Sequence, residues 1–186
     1  NSASVVADAL LKGVTPEKEW QTLYEAMMHA RTNVHPGVSS TGRLGHEYYN
    51  RLGYIPYDVK INENVARTLE YAYDDWCIAQ VARKLGKTED AAALEEASRN
   101  YRNVFDKTTK LMRGRNENGE FQSPFSPYKW GDAFTEGNAW HYTWSVFHDV
   151  QGLAELMGGR EGFAEMLDSV FVVPPIYDDS YYGFRI

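Results

Sequence analysis

Hydrophobic residues recur at helical spacing along most of the chain. In the second periodic segment, Trp20, Leu23, Tyr24 and Met27 fall on one helical face. The same spacing predicts six helices, over residues 2–12, 16–33, 62–85, 88–105, 138–157 and 160–171. Short connections alternate with long ones, which is typical of paired helices. The pattern therefore predicts an all-α array of antiparallel helix pairs rather than a parallel sheet.

The long connections between the predicted helices are rich in aromatic residues. Residues 34–60 include Tyr49 and Tyr54 among glycines and prolines, and we expect an ordered, packed loop there. A hairpin is predicted at Asn118–Gly119. If the helix pairs follow one another around a ring, the long loops all lie on one rim. A ligand-binding cleft is expected on that rim.

Composition and charge exclude several classes of function. The net charge is −7 and no cluster of Lys or Arg is present, which argues against binding to nucleic acid or to an anionic membrane surface. No apolar run is long enough for a membrane span. The single cysteine, Cys77, excludes an internal disulfide and a cysteine-based zinc site, and its helical setting predicts a buried, small apolar side chain.

Both ends of the chain look like cuts in a longer polypeptide. The sequence opens at Asn1-Ser2-Ala3 directly into a helical pattern, without an initiator methionine or a signal-peptide pattern. We therefore expect residues 1–186 to be one segment of a larger domain, with the remaining parts of the parent polypeptide as its partners.

The strongest candidate for chemistry is Glu136. It stands at a predicted loop-to-helix junction among five aromatic rings, and Trp140 and Trp144 follow at helical spacing on the same face. Desolvation by such rings disfavours the ionised carboxyl and raises its pKa toward the range of a general acid, and like-charge repulsion from Asp132 acts in the same direction. The structural alternative is that Glu136 caps the following helix and pairs with an arginine.

Two other acidic positions favour structural roles. Asp74 and Asp75 are adjacent on a predicted helix, so their side chains point about 100° apart and cannot form a catalytic pair. One of them is expected to brace a neighbouring loop. His148–Asp149 is predicted to place a carboxylate that orients an imidazole. The five histidines show no metal-ligand spacing.

Three stretches of the sequence resemble glycoside hydrolase family 92, the calcium-dependent exo-α-mannosidases. They are Thr68–Ala79, Phe134–Tyr142 and Gly152–Gly159, and the resemblance extends over essentially the whole chain. It implies a segment of the helical (α/α)6 toroid that follows a β-sandwich in the family. It also implies a protein that acts outside the cytoplasm, in the periplasm or the extracellular space.

The resemblance further implies an inverting hydrolase that removes α-linked mannose from glycans. Glu136 matches the family's general acid, and Asn138, Trp140 and His141 in the same motif are expected to bind substrate. His141 replaces the usual Gln, which is expected to tune the sugar contacts. The general base and the calcium ligands are expected outside this chain, so the segment alone is expected to be inactive. The other hypothesis is a non-catalytic helical protein that binds carbohydrate or acts as a scaffold.

Overall fold

The computed structural model describes residues 2–184, which are dominated by helices. Within these residues there are eight α-helices: α1 Ser2–Leu11, α2 Trp20–Ala30, α3 His46–Leu52, α4 Asn64–Lys84, α5 Thr88–Ala97, α6 Ala139–Tyr142, α7 Val150–Leu156 and α8 Arg160–Ser169. Short 3-10 helices cover Glu17–Glu19, Tyr57–Val59 and Ser98–Val104. The strands are β1 Val34–His35, β2 Val38–Gly42, β3 Phe105–Asp106 and β4 Leu111–Met112, paired as two antiparallel hairpins, β1 with β2 and β3 with β4.

The longest predicted helix has the bounds that the sequence indicated. Residues 62–85 were predicted, and α4 covers Asn64–Lys84. Gly86 follows α4 with a φ of +72°, a left-handed conformation that ends helices and that glycine adopts without steric cost. The α-helix predicted over residues 16–33 is shorter in the structure. The first turn after Pro16 is a 3-10 helix, and the α-helix begins at Trp20.

The single helix predicted over residues 138–157 is wrong. The structure forms α6 and α7 instead, and residues 143–149 between them are not helical. The Thr143 hydroxyl group contacts the Ala139 carbonyl at 2.7 Å and also accepts the Met112 N–H at 2.9 Å. Asp149 then begins a new helix by accepting the Gly152 N–H. The Thr143 hydroxyl thus ties the end of α6 to β4, and the Asp149 side chain starts a separate helix.

The predicted loop at residues 34–60 is partly wrong. It is ordered and packed as expected, since Tyr49 and Tyr54 are buried. However, it also contains the hairpin of β1 and β2 and the helix α3. The helix α3 is bounded by Gly45 and Gly53, both in left-handed conformations. This helix has only seven residues, which is too few for a helical period of apolar residues to be recognised in the sequence.

The chain divides into two compact units. The first comprises Asn1–Gly53 and Glu70–Asn100. Its core joins α1 and α2 to the C-terminal part of α4 and to α5, with buried residues Ala3, Ala7, Leu10, Tyr24, Met27, Cys77, Ile78, Ala79, Val81, Ala82, Ala91 and Leu94. Cys77 is 4 % exposed, as predicted, and burial raises the pKa of its thiol to about 11.

A buried ionic cluster also stabilises the first unit. Asp75 is fully buried and accepts hydrogen bonds from Arg31 Nε at 2.8 Å, Arg43 Nη1 at 2.7 Å and the Tyr49 hydroxyl at 3.2 Å. These bonds tie the segment that follows β2 to α4. The prediction that one acid of the Asp74–Asp75 pair braces a neighbouring loop is confirmed for Asp75.

The second unit comprises Tyr54–Leu69 and Tyr101–Ile186. Its buried side chains come from the β3–β4 hairpin, from α7 and from the segments around α6, and include Tyr101, Val104, Phe105, Leu111, Met112, Phe134, Ala139, Val146, Leu153 and Met157. The hairpin predicted at Asn118–Gly119 is confirmed by an antiparallel bridge between Arg115 and Phe121. All residues of the candidate site lie in this unit.

Candidate active site

The candidate acid lies in a loop, residues 130–138, that a backbone hydrogen bond closes on itself. The Gly131 N–H donates to the Gly137 carbonyl at 2.9 Å, and the Phe134 N–H donates to the Gly131 carbonyl at 3.1 Å. Gly131 has a φ of +82°, and a Cβ atom there would come within 2.8 Å of the Tyr181 and Tyr182 rings. Glycine is therefore required where the loop begins.

The same loop satisfies the first N–H groups of helix α4. The Glu63 N–H donates to the Asp132 carbonyl at 2.6 Å, and the N–H groups of Val65 and Ala66 donate to the Ala133 carbonyl at 3.0 and 3.1 Å. The first N–H groups of a helix have no partner within the helix, so they need such acceptors. This contact attaches the loop firmly to a long helix.

Asp132 is bound by neighbouring side chains. Its Oδ2 accepts a hydrogen bond from the Tyr57 hydroxyl at 2.7 Å and from Lys129 Nζ at 2.6 Å. Burial, together with this bond to Asp132, raises the pKa of Tyr57. The sequence suggested that Asp132 acts on Glu136 by like-charge repulsion. That suggestion is weakened, because Lys129 compensates the negative charge and both bonds hold the loop in place.

Glu136 differs from the prediction in its surroundings. Its side chain is exposed, so the expected desolvation by aromatic rings is wrong within this chain. Its φ is +45°, in the left-handed region that is unfavourable for a residue with a side chain. It forms no ion pair with the described residues, and Asn138 rather than Glu136 caps the next helix. The structural alternative of a helix cap paired with an arginine is therefore wrong.

Asn138 and His141 form a capping box at the start of α6. Asn138 Oδ1 accepts the N–H of Trp140 at 3.0 Å and of His141 at 3.4 Å, while the Asn138 N–H donates to His141 Nδ1 at 3.3 Å. Asn138 is 7 % exposed and its oxygen is already used. His141 is exposed, and its ring lies edge-on to Trp130 with centroids 5.4 Å apart. Substrate binding by either residue stays a prediction.

The predicted common face of Glu136, Trp140 and Trp144 is wrong. Glu136 precedes α6 and Trp144 follows it, because this helix has only four residues. Trp140 is half-buried, and its Nε1 is buried without a hydrogen-bond acceptor among residues 2–184. The Trp144 ring instead packs edge-on against Phe163, with centroids 5.5 Å apart. A substrate contact of Trp140 also stays a prediction.

Asp149 has a structural role at the start of helix α7. It accepts the Gly152 N–H at 2.9 Å and the Tyr101 hydroxyl at 2.7 Å. Burial alone would raise the pKa of Asp149, but the hydrogen bonds from Tyr101 and Gly152, together with Arg102, lower it overall. Asp149 thus begins α7 and ties it to Tyr101, while the predicted orientation of the His148 imidazole by this carboxylate stays a prediction.

Two residues of the site were not singled out from the sequence. The Tyr142 hydroxyl donates to the Thr135 carbonyl at 2.6 Å, beside Glu136. Tyr57 binds Asp132 from 75 residues away along the chain. The position of Tyr142 at the end of the candidate motif was a usable signal, whereas nothing in the sequence connects Tyr57 to Asp132.

The described residues contain neither a metal-binding cluster of side chains nor a membrane-spanning helix. Between residues 2 and 184, no group of three or more His, Cys, Asp or Glu side chains is placed to hold a metal ion. Residues 2–184 by themselves therefore offer no cluster of carboxylates for a calcium ion. In the same part of the chain, no helix is long and apolar enough to cross a membrane.

Comparison with protein families gives a match over nearly the whole chain. Residues 1–183 match the family described as glycosyl hydrolase family 92 catalytic domain. An uncharacterized secreted glycosidase of Arthroderma benhamiae is 29 % identical over 198 residues, which cover 90 % of this chain and 26 % of that protein.

Solved structures give matches of the same kind. A family GH92 inverting mannosidase of Bacteroides thetaiotaomicron is 44 % identical with a TM-score of 0.87, covering 98 % of this chain and 25 % of that one. A family GH92 α-mannosidase of the same bacterium, also solved with mannoimidazole, is 40 % identical with a TM-score of 0.80, covering 92 % and 22 %. The predicted fold class, all-α and part of an (α/α)6 toroid, is confirmed. The chain spans about a quarter of the length of these relatives.

Proposed function

The chain belongs to glycosyl hydrolase family 92, and from this membership we propose that it supplies the general acid, Glu136, of an inverting α-mannosidase. The observation that carries the assignment is the state of Glu136 itself. Glu136 is exposed and has a φ of +45°. The bond from Gly131 to Gly137 closes its loop, and the bond from Tyr142 to Thr135 holds the residue before it. Strained backbone of this kind is found at functional sites, and in this loop Asp132 adopts it as well, with a φ of 61°.

The proposed substrate class is a glycan that ends in α-linked mannose. The support comes from the two solved relatives, one named an inverting mannosidase and the other an α-mannosidase. Three rings contact one another in this unit, since the Trp130 ring lies 5.4 Å from that of His141, in the same motif as Glu136, and 5.5 Å from that of Tyr177. Flat rings of this kind suit contact with the apolar face of a sugar.

In the proposed mechanism, Glu136 donates a proton to the glycosidic oxygen as the bond to mannose breaks. Inversion requires a second carboxylate, roughly 6.5–9.5 Å from the acid, that activates a water molecule on the opposite face of the sugar. Asp132 is a poor candidate for that base, because Tyr57 and Lys129 already bind its Oδ2 atom. We propose that the base belongs to the remainder of a longer polypeptide.

Calcium is part of this proposal only through the rest of that polypeptide. The described residues offer no cluster of carboxylates to hold it, so no step is assigned to calcium here. We also propose that the protein acts outside the cytoplasm, in the periplasm or beyond the cell. The support is the secreted glycosidase of Arthroderma benhamiae, and fractionation of producing cells against a cytosolic marker enzyme tests it.

The experiment for the proposed activity uses the full-length polypeptide that carries this segment. The enzyme is mixed with an aryl α-mannoside in deuterated buffer, and proton NMR follows the first mannose released. β-Mannose appearing before mutarotation is the expected result. α-Mannose as the first product contradicts inversion. Binding of mannosides without any turnover favours the other hypothesis, a non-catalytic carbohydrate-binding protein.

A further inference from the structure

One side chain contacts the residues on both sides of Glu136. The Tyr142 hydroxyl donates a hydrogen bond to the Thr135 carbonyl at 2.6 Å, which fixes the peptide that precedes Glu136. The ring of Tyr142 also lies against Gly137, where a Cβ atom would stand 3.0 Å from Cε2 and 3.3 Å from Cδ2. The residue after Glu136 therefore packs directly on the phenol ring.

From these contacts we propose that Tyr142 is a positioning residue that holds Glu136 in its left-handed conformation and so aims the carboxyl. The inference rests on the proposed role of Glu136 as the general acid. Tyr142 touches neither substrate nor reacting atoms in this proposal. It acts through the backbone on either side of the acid.

The strain at Glu136 explains why such a restraint is needed. A left-handed residue with a side chain tends to return to the common backbone regions, and that rotation would swing the carboxyl away from its position. A proton donor must lie within hydrogen-bond reach of the leaving oxygen, so a small displacement of the carboxyl is costly. A hydroxyl on one side and a ring on the other oppose rotation at both ends.

Tyr142 is itself held firmly. It is the last residue of α6, which begins with the capping box of Asn138 and His141. The ring packs against Phe134 with centroids 5.3 Å apart, and Phe134 is buried in the second unit. The restraint on Glu136 therefore passes to the core rather than to another exposed side chain.

The test compares two substrates in the full-length polypeptide. Tyr142→Phe keeps the ring and removes only the hydroxyl. We expect its kcat to fall about tenfold on an α-mannobiose, whose leaving group needs a proton, in keeping with the loss of one net hydrogen bond. On dinitrophenyl α-mannoside, which needs little protonation, kcat is expected to stay unchanged, and KM is expected to stay unchanged on both substrates.

A matched control and a second variant complete the test. Tyr54 also donates its hydroxyl to a backbone carbonyl, that of Asn116 at 2.9 Å in the same unit, so Tyr54→Phe is expected to change neither rate. Gly137→Ala keeps the Tyr142 hydroxyl but places a methyl group against the Tyr142 ring. We expect it to lower kcat on mannobiose and to leave kcat on the dinitrophenyl substrate unchanged. Adding Tyr142→Phe to Glu136→Gln is expected to cause no further loss on mannobiose.

Two outcomes overturn the positioning role. One is an equal fall in kcat on both substrates with Tyr142→Phe, and the other is full additivity with Glu136→Gln. If Glu136→Gln lowers kcat selectively on mannobiose while Tyr142→Phe does not, only the positioning role fails. If Glu136→Gln itself lowers kcat equally on both substrates, the assignment of Glu136 as the general acid fails together with the positioning role.

Discussion

Replacing Glu136 by glycine is expected to stabilise the chain while it removes activity. The left-handed conformation costs a residue with a side chain about 1–2 kcal/mol, and glycine is free of that cost. Glycine in turn gains freedom in the unfolded chain, which offsets roughly 0.5–1 kcal/mol. Because Glu136 is exposed and forms no ion pair with the described residues, we expect a net gain of about 0.5–1 kcal/mol in the free energy of unfolding.

The measurement is denaturant unfolding of the 186-residue chain, paired with turnover of an unactivated mannoside by the full-length polypeptide. Lys60→Gly is the matched control, because Lys60 is also exposed, lies in the same unit and has a φ of 59°. Both variants are expected to be more stable. Only Glu136→Gly is expected to lose activity, by about 10²–10⁴ in rate.

A different pattern would refute this reasoning. If Glu136→Gly destabilises the chain while Lys60→Gly stabilises it, then the carboxyl of Glu136 makes a structural contribution that outweighs the strain. If both variants keep full activity, the strained residue has no catalytic role. Stabilisation together with inactivation is typical of a residue retained for function at a cost in stability.

Three further predictions concern the site and the two units. The 186-residue chain alone is expected to hydrolyse no aryl α-mannoside with calcium present, and turnover that EDTA abolishes would contradict this. Arg43→Ala is expected to lower the free energy of unfolding by about 1.5–3 kcal/mol, because buried Asp75 loses one charged hydrogen bond while it keeps that of Arg31. Arg99→Ala, which breaks an exposed pair, is expected to cost less than about 1 kcal/mol, and equal losses would contradict the difference. Burial alone would raise the pKa of Asp106, but hydrogen bonds led by that from Arg113 lower it below its unfolded value. The ionised Asp106 carboxyl therefore stabilises the folded chain above about pH 4, and this stabilisation is lost as the pH falls through the folded pKa. The wild-type chain is expected to lose stability more steeply on acidification than Asp106→Asn.

The sequence predicted the long helices well because their signals are local. Apolar periodicity and a glycine at the end located α4 to within two residues at each end. The break after α6 was missed, and at the end of that helix the Thr143 hydroxyl accepts a hydrogen bond from Met112 in another segment. Helix propensity along the sequence does not predict a contact of this kind between distant segments.

At the candidate site, the sequence located the motif but did not predict its environment. The motif around Glu136 was recognisable, and a capping residue at Asn138 follows the usual preference for helix starts. The exposure and left-handed backbone of Glu136 were not predictable, because they belong to a folded loop in which Gly131 bonds to Gly137 and Tyr142 bonds to Thr135. The partners of Asp132 were missed for the same reason, because the Tyr57 hydroxyl comes from a distant part of the chain.

The most direct test of the central claim is the leaving-group dependence of Glu136→Gln in the full-length polypeptide. The substitution keeps the shape of the side chain but removes the proton. The account predicts a loss on the order of 10²–10⁴ in kcat on an α-mannobiose. It predicts a much smaller loss on dinitrophenyl α-mannoside, with little change in KM. An equal loss on the two substrates would contradict the assignment of Glu136 as the general acid.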